Sequence, residues 1–413
     1  MLVLEAKLVG KNWQYERLDE AIRAGQFVRN KCLAYWIESS RDEKVNKSKL
    51  TKLALLLRKE FEWAGKLNSQ AAQAHAERAW ISISRFFDNC KKKVPGKKGY
   101  PKFKKNSRSV EYKITGWNLS EDKKKLTLTD DFNAGTFKLK GTRDLNWYTK
   151  KQIKRVRIVR RAKGYFVQFC IDVERSEPLP RTNKFVGIDL GIKEFYTDSN
   201  GEVVNNPRYL RKSELRLKRR QRRKSARVKG SKNRLKAIKK LGRAHFKVSS
   251  QRKDFAIKTA KALIQSNDMV FYEDLRVRNM VKNHKLAKSI SDASWSMFTD
   301  WLDYFGKVHG RIVFSVAPHW TSQNCSNCGE LVKKSLSTRT HQCPYCQTVL
   351  DRDHNAAINI LNKGWGDDRV PQGMREFECD PRRGSLAIGK RTRTLEESGT
   401  SGRVEKSLLL SSL

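Results

Sequence analysis

The chain has 413 residues, with 88 Lys and Arg against 43 Asp and Glu, for a formal charge of +45. That length implies two or three domains, and the charge implies a polyanionic partner, nucleic acid first and an acidic membrane surface second. No run approaches 18 apolar residues and Met1–Glu5 is too short and too charged for a signal peptide, which excludes a membrane helix; 10 Trp, 18 Phe and 11 Tyr exclude wholesale disorder.

Residues 1–13 predict one strand. Leu18, Ile22, Val28, Cys32, Tyr35 and Trp36 then recur at helical spacing, as do Ala76, Trp80, Ile83 and Phe87, so 14–94 is expected to be a small helical domain. The run 91–106, KKKVPGKKGYPKFKKN, ends it: eight of its sixteen residues are Lys and none is acidic. It is either a solvated linker or a loop that contacts phosphates through Lys97, Lys98, Lys102 and Lys104. Residues 107–180 have a β pattern. Its clearest part is RVRIVRRAKGYFVQFCIDVE, 155–174, a hairpin about Ala162-Lys163-Gly164.

FVGIDLGIKEFYTDSNGEVV, 185–204, predicts three short strands, with a hairpin turn at Ser199-Asn200-Gly201. Residues 207–265 are helical and basic, and Gly230 separates two helices. Nine of the fifteen residues in 211–225 are Lys or Arg. Arg219, Arg220, Arg222 and Arg223 are candidate nucleic-acid contacts there, with a solvated helix face as the plain alternative. DMVFYEDL (268–275) is a buried-type strand, 289–310 an amphipathic helix with Phe298, Trp301, Leu302 and Phe305 on one face, and RIVFSVAP (311–318) another strand. A cysteine-rich insert follows, then a helix from about His354 to Trp365. Without the insert the order is β-β-β-α-β-α-β-α, that of an RNase H-like domain, and such an order does not by itself fix function. The Gly-, Arg- and Ser-rich residues 366–413 are expected to form a mostly disordered tail.

Four of the eight cysteines form two C-x-x-C pairs, Cys325/Cys328 and Cys343/Cys346, separated by fourteen residues. Without a secretory signal this spacing implies metal binding rather than disulfides. Four thiolates complete a tetrahedron and leave no open position, so a zinc there is structural. Three acids suit a different metal chemistry. Magnesium-dependent phosphodiester cleavage needs several hard oxygen ligands on one spot. Asp189 lies within the first apolar strand, Glu273 at the end of DMVFYEDL, and Asp353 at the start of the last helix. Acids at element ends are ordinarily turn or cap residues, and Asp353 has a ready role as a helix N-cap. Asp189, between Ile188 and Leu190, is costly to bury without a cation or partner. Together the three predict a two-metal site, with Asp274 and Asp351 in supporting roles. His319 is expected to be structural rather than a ligand.

The segments GIDLGIK, FYEDL and DRDHNAAINI, with TSQNCSNCG and the second cysteine pair between the last two, resemble the TnpB (OrfB) family of transposon-encoded nucleases, which is similar to the ancestor of type V CRISPR effectors. GYPKFKK and VSSQRKDF are similar to family segments too. The resemblance runs from about residue 95 to 363, fits the helical start loosely and matches no motif in the last fifty residues. It implies an α/β multi-domain fold. A wedge β-barrel would take residues 1–13 as its first strand and 95–180. A helical recognition domain would take 14–94. A RuvC-like nuclease domain would be split into 181–318 and 351–365 by a zinc-ribbon, target-nucleic-acid-binding insert at 319–350. The resemblance further implies an RNA-guided DNA endonuclease with Asp189, Glu273 and Asp353 as catalytic ligands of two magnesium ions, and one structural zinc. Its partners would be a guide RNA from the transposon end and a double-stranded DNA target, in a prokaryotic, nucleoid-associated cytoplasmic setting without a membrane. Base pairing would read the target, and the protein a short flanking motif. The alternatives are a small type V CRISPR effector with the same site, or an unguided transposase or DNA-binding protein of the same fold.

Overall fold

The alternating apolar residues at the start of the chain form a strand that finds its partners more than 120 residues later. The computed structural model describes residues 1–39, 44–141, 144–335 and 337–370, with the backbone of the paired segments Cys379–Asp380 and Ser385–Leu386. Apart from those two segments, the expected tail lies outside the described residues from 371 onward. The chain makes two compact units, Met1–Glu177 with Tyr209–Lys253, and Pro178–Arg208 with the chain from Asp254.

In the first unit, seven strands form one antiparallel sheet: β1 (Leu2–Val9), β2 (Ser109–Tyr112), β3 (Trp117–Leu119), β4 (Lys125–Leu128), β5 (Gly135–Lys140), β6 (Ile153–Arg161) and β7 (Gly164–Ile171). Their order is β2-β6-β7-β1-β5-β4-β3. β1 sits in the middle, with Leu4 opposite Phe169 and Leu8 opposite Leu139. The predicted β6–β7 hairpin is present, turning at Gly164 with φ +120°. The helices α1 (Asn12–Glu38), α2 (Lys47–Glu60), α3 (Glu62–Gly65) and α4 (Ser69–Lys91) fill the expected helical stretch. Asn46 and Asn68 cap α2 and α4 by accepting from the backbone N–H groups of Lys49 and of Gln70 and Ala71. Leu18, Val28 and Leu33 of α1 and Ile83 of α4 share one apolar core with Val110, Ile158 and Val167 of the sheet.

The Lys-rich run after α4 has no helix or strand, as expected, but it is not a free linker. Amide side chains of α1 hold its backbone: Asn30 donates to Lys104 O and accepts from Lys104 N, both at 2.9 Å, and Gln26 accepts from Ser107 N at 2.6 Å. Lys97, Lys102 and Lys104 remain exposed, and Lys98 is half-buried.

The second unit is built on a five-stranded sheet of β8 (Phe185–Leu190), β9 (Glu194–Asp198), β10 (Val203–Asn205), β11 (Met269–Glu273) and β12 (Ile312–Val316). The order is β10-β9-β8-β11-β12, with β8, β11 and β12 parallel and β9 and β10 antiparallel. In the chain between β10 and β11 come α5 (Tyr209–Ser225) and α6 (Lys232–Ser266), parted near Gly230 as the sequence suggests, of which α5 and α6 up to Lys253 belong to the first unit. α7 (Val277–Met280), α8 (His284–Ala293) and α9 (Trp295–His309) precede β12. The single amphipathic helix expected at 289–310 is thus a correction: the chain breaks at Ser294, whose φ of +59° ends α8 and starts α9. The apolar face itself is right, since Phe298, Leu302 and Phe305 of α9 are buried. After β12 come the hairpin strands β13 (Thr340–Gln342) and β14 (Val349–Asp351), then α10 (Arg352–Trp365). α10 lies directly on β8, and Gly187 is what permits it: a Cβ there would collide with the backbone of Ala357 and Leu361.

Candidate active site

The parallel strands bring two of the three acids to the same edge. Ile188 is the last β8 residue in register with β11, opposite Tyr272. Asp189 and Glu273 follow those two residues, at the carboxyl ends of adjacent parallel strands, where open α/β sheets bind ligands. The third acid arrives on α10. Asp353 sits in the first turn of that helix, and it is not the N-cap, as its position had allowed. The cap is Asp351, whose carboxylate accepts from the backbone N–H groups of Asp353 at 2.8 Å and His354 at 3.3 Å. The side chain of Asp353 is thereby released from capping.

The electrostatics of the three differ. Burial pushes the Asp189 carboxyl well above the ordinary carboxylate range, and the negative charges of Glu273 and Asp353 push it further, with Arg352 pulling back. The Asp189 carboxylate has no hydrogen bond or ion pair among the described residues. Burial also raises Glu273, against the pull of the Thr321 hydroxyl, which donates to its Oε1, and of the Lys363 ammonium. Asp353 is held by arginines: Arg352 reaches Oδ1 from Nε at 3.0 Å and Nη2 at 2.8 Å, and Arg339 Nη1 reaches Oδ2 at 3.2 Å. Asp274 is exposed and donates its backbone N–H to Val316 O.

The four cysteines form a tighter cluster. Their sulfurs all lie within 4.8 Å of one another, with Cys325 to Cys346 at 3.6 Å and Cys328 to Cys343 at 3.5 Å. A tetrahedron with metal–sulfur bonds of about 2.3 Å has edges of about 3.8 Å, so this spacing fits a metal and is far too long for a disulfide. The two knuckles are built alike. Gly329 N donates to Cys325 O and Gln347 N to Cys343 O, and both residues are left-handed, at φ +82° and +58°. The Cys346 thiol is brought down to about 5, chiefly by the Thr348 hydroxyl and backbone N–H. Among the described residues this is the one cluster of His, Cys, Asp or Glu side chains tight enough to hold a metal as it stands. His319 is exposed and outside the cluster; its carbonyl accepts from Lys363 Nζ.

Several residues that shape the site have no obvious signature in the sequence. Thr321 lies 48 residues from the glutamate it touches, and Arg339 lies 14 residues from Asp353. Two buried asparagines of α10, Asn355 and Asn359, both donate to Asn324 O at 2.8 Å, and Asn359 also donates to Thr321 O at 2.8 Å. They tie the approach to the first knuckle to the helix that carries Asp353. Of the eight basic candidates, Lys97, Lys98, Lys102, Lys104, Arg219, Arg220, Arg222 and Arg223, all belong to the first unit. Arg219, Arg222 and Arg223 are exposed, whereas Arg220 is half-buried and donates to Lys240 O.

Two family models match this chain. OrfB_IS605, described as "Probable transposase", covers residues 168–284, and "Cas12f1-like, TNB domain" covers 295–360. Both thus overlap the segments that bear the acids and the cysteines. A curated protein of Streptomyces pristinaespiralis, "Putative RNA-guided DNA endonuclease", is 38% identical over 231 residues, 55% of this chain and 57% of that protein. The InsQ protein of Escherichia coli (strain K12), named in the same way, is 27% identical over 64% of this chain and 68% of its own. "TnpB-like protein L79" of Acanthamoeba polyphaga mimivirus is 26% identical over 62% of this chain and 52% of its own. The match therefore spans 52 to 68% of the length of these relatives. Among solved structures, a Cas12f1–sgRNA–target DNA complex shares the fold with a TM-score of 0.53 at 16% identity, covering 85% of this chain and 82% of that one. The mini-RNA-guided endonuclease Cas_phi3 shares it at 0.50 and 11%, covering 88% and 92%.

Proposed function

This chain is TnpB-like (OrfB) in sequence, and on that premise we propose that it is a transposon-encoded, RNA-guided, metal-dependent DNA endonuclease. It would cut DNA complementary to a guide RNA beside a short flanking motif. The second unit has the strand order of an RNase H-like domain, which supports a RuvC-type nuclease. In the same reading the seven-stranded sheet is the wedge domain (1–13 with 95–180), 14–94 the recognition domain, 181–318 with 351–365 the nuclease, and 319–350 the zinc-ribbon insert.

One observation carries the reading. Asp189 stands at the end of a central parallel strand, desolvated and in the field of two further carboxylates, without a bonded cation. Such an arrangement costs stability unless a metal compensates it. The donor set is three hard carboxylates, which fits magnesium. Asp189, Glu273 and Asp353 would hold the ions. Magnesium, when bound, supplies an activated water and neutralises the charge that develops on the leaving oxygen. The chain's own residues do the rest. Thr321 fixes the rotamer of Glu273 through its hydroxyl. Arg352 and Arg339 hold Asp353 at the mouth of α10, and they must loosen their grip for it to serve as a ligand. In-line hydrolysis would leave a 5′ phosphate and a 3′ hydroxyl. The cysteine cluster would hold one structural zinc, and the exposed lysines and arginines of the first unit would contact RNA and DNA phosphates.

The test is made on the protein expressed with the DNA downstream of its gene. Sequencing the co-purified RNA is expected to return one discrete species that runs past the end of the gene. The complex is expected to cut a matching target in magnesium, and Asp189→Ala to keep the RNA and lose cutting. A heterogeneous RNA smear, or undiminished cutting by Asp189→Ala, overturns the reading.

A further inference from the structure

The turn leading into the first cysteine pair holds its tryptophan in an uncommon state. Trp320 has φ of +66°, a left-handed conformation that a bulky residue rarely adopts. It is also 57% exposed. Its indole has no ring or hydrogen-bond partner among the described residues, so packing within the chain offsets neither the strain nor the exposure. The backbone around it is the opposite of loose. Trp320 O accepts from Gln323 N at 3.1 Å and Asn324 N at 2.9 Å. Thr321 is buried, with its carbonyl held by Asn359 and its hydroxyl on Glu273. Asn355 accepts from Ser326 N at 2.9 Å and donates to Asn324 O. A rigid frame thus presents a bare aromatic face one residue away from a group that bonds a proposed metal-binding acid. Strain preserved by such a frame is characteristic of sites that meet a ligand.

Resting on the nuclease reading above, we propose that Trp320 is the stacking platform for one nucleobase of the strand being cut. The indole face takes a base of any identity, because every base has a π face and stacking is tolerant of sequence. Thr321 and the two asparagines set the distance between that base and Glu273. The stacked nucleotide therefore acts as a ruler that selects which phosphodiester reaches the acids.

The experiment uses the full-length protein with its co-purified RNA and a set of matched DNA targets, each with one abasic site stepped through the region of the cut. Wild type, Trp320→Asn, which tolerates the left-handed backbone, and Trp320→Tyr are compared, with bound zinc measured in each. One abasic position is expected to slow wild type about ten- to a hundredfold, the range of a lost base–aromatic stack. Trp320→Asn is expected to cut intact DNA slower by a similar factor, to blur the cut position, and to be indifferent to that abasic site. Trp320→Tyr is expected to retain most of the rate. An abasic profile of wild type with no sensitive position overturns the proposal, as does an identical profile in Trp320→Asn. These outcomes leave the nuclease reading standing. Wild type that cuts no target at all removes that reading, and the platform with it.

Discussion

Glu77 and Glu111 in the first unit are buried and Asp189 and Glu273 in the second are half-buried, yet only the first pair is surrounded by cations. Glu77 meets Lys47 and Lys113 at 2.9 Å and Arg155 at 3.1 Å. Glu111 meets Arg78 at 2.8 Å, and Arg155 and Arg157 at 2.7 Å. Burial alone would raise Glu111, but Arg78, Arg155 and Arg157 outweigh it and bring it down to about 2. Asp189 moves the other way, raised by burial and by its acidic neighbours. The chain has abundant Lys and Arg, so the missing partners at Asp189 do not reflect scarcity. A buried acid ringed by arginine joins α4 to β2 and β6. A half-buried acid left to other acids marks a place for a cation from outside.

The largest test of this contrast is a pair of charge-removing variants. Asp189→Asn is expected to lower cleavage by about 10⁴-fold or more, the scale of losing one member of a catalytic unit. The same variant is expected to unfold at a higher temperature than wild type in magnesium-free buffer, because a carboxyl raised in the folded state destabilises that state when ionised. Calorimetry without chelator, which would strip the cysteine cluster, measures this. Glu111→Gln is expected to go the other way, losing about 3 kcal/mol at the low end of the cost of orphaning buried partners. The low end applies because Arg155 and Arg157 are about a third exposed. A lowered midpoint in Asp189→Asn, or an unchanged one in Glu111→Gln, breaks the comparison.

Much of this contrast was legible in the sequence, though not evenly. Asp189 stands out because it interrupts an apolar strand, Glu273 and Asp353 only in its company, at the ends of a strand and a helix, and the cysteines because two C-x-x-C turns are self-contained. The strands around the acids follow from patterns of four to eight residues. The partners do not. Thr321 on Glu273, Arg339 on Asp353, and Asn355 and Asn359 on Asn324 are contacts between segments that only the folded sheet and α10 bring together. That Asp351 rather than Asp353 caps α10 is hidden for a related reason: two acids two residues apart differ only in backbone geometry. Ser294 was missed because a serine inside an apolar helical pattern carries no breaking signal of its own. The central place of β1 between β5 and β7 is likewise a matter of long-range register.

The contrast extends from acids to a base. His75 on α4 is 1% exposed, and neither ring nitrogen has a hydrogen-bond partner among the described residues. Burial, and then the charge of Arg78, push it down to about 3, with Glu111 pulling back. In the unfolded chain a histidine titrates near 6.5. Below that pH the unfolded chain takes up a proton that folded His75 refuses, so stability falls with pH until about 3. Between pH 7 and pH 5 the loss is about 2 kcal/mol, at about 1.4 kcal/mol per unit. Glu77 and Glu111 do not confuse this window, and Asp130, raised to about 6 by burial, offsets part of the loss alike in wild type and in a His75 variant. Both glutamates are lowered on folding, so their contribution is complete above the usual glutamate range and fades only below it, for Glu111 as the pH falls toward about 2. Asp189 and Glu273 are raised, so acidification relieves the second unit instead. Hydrogen exchange at pH 7 and pH 5, corrected for the intrinsic rate, is expected to show α1 and α4 losing protection in wild type. His75→Gln cannot take up the proton, and its α1 and α4 are expected to hold their protection across the same interval. Equal loss in the two proteins would mean that His75 is not the titrating group, and that the first unit, like the second, takes its acid response from carboxylates.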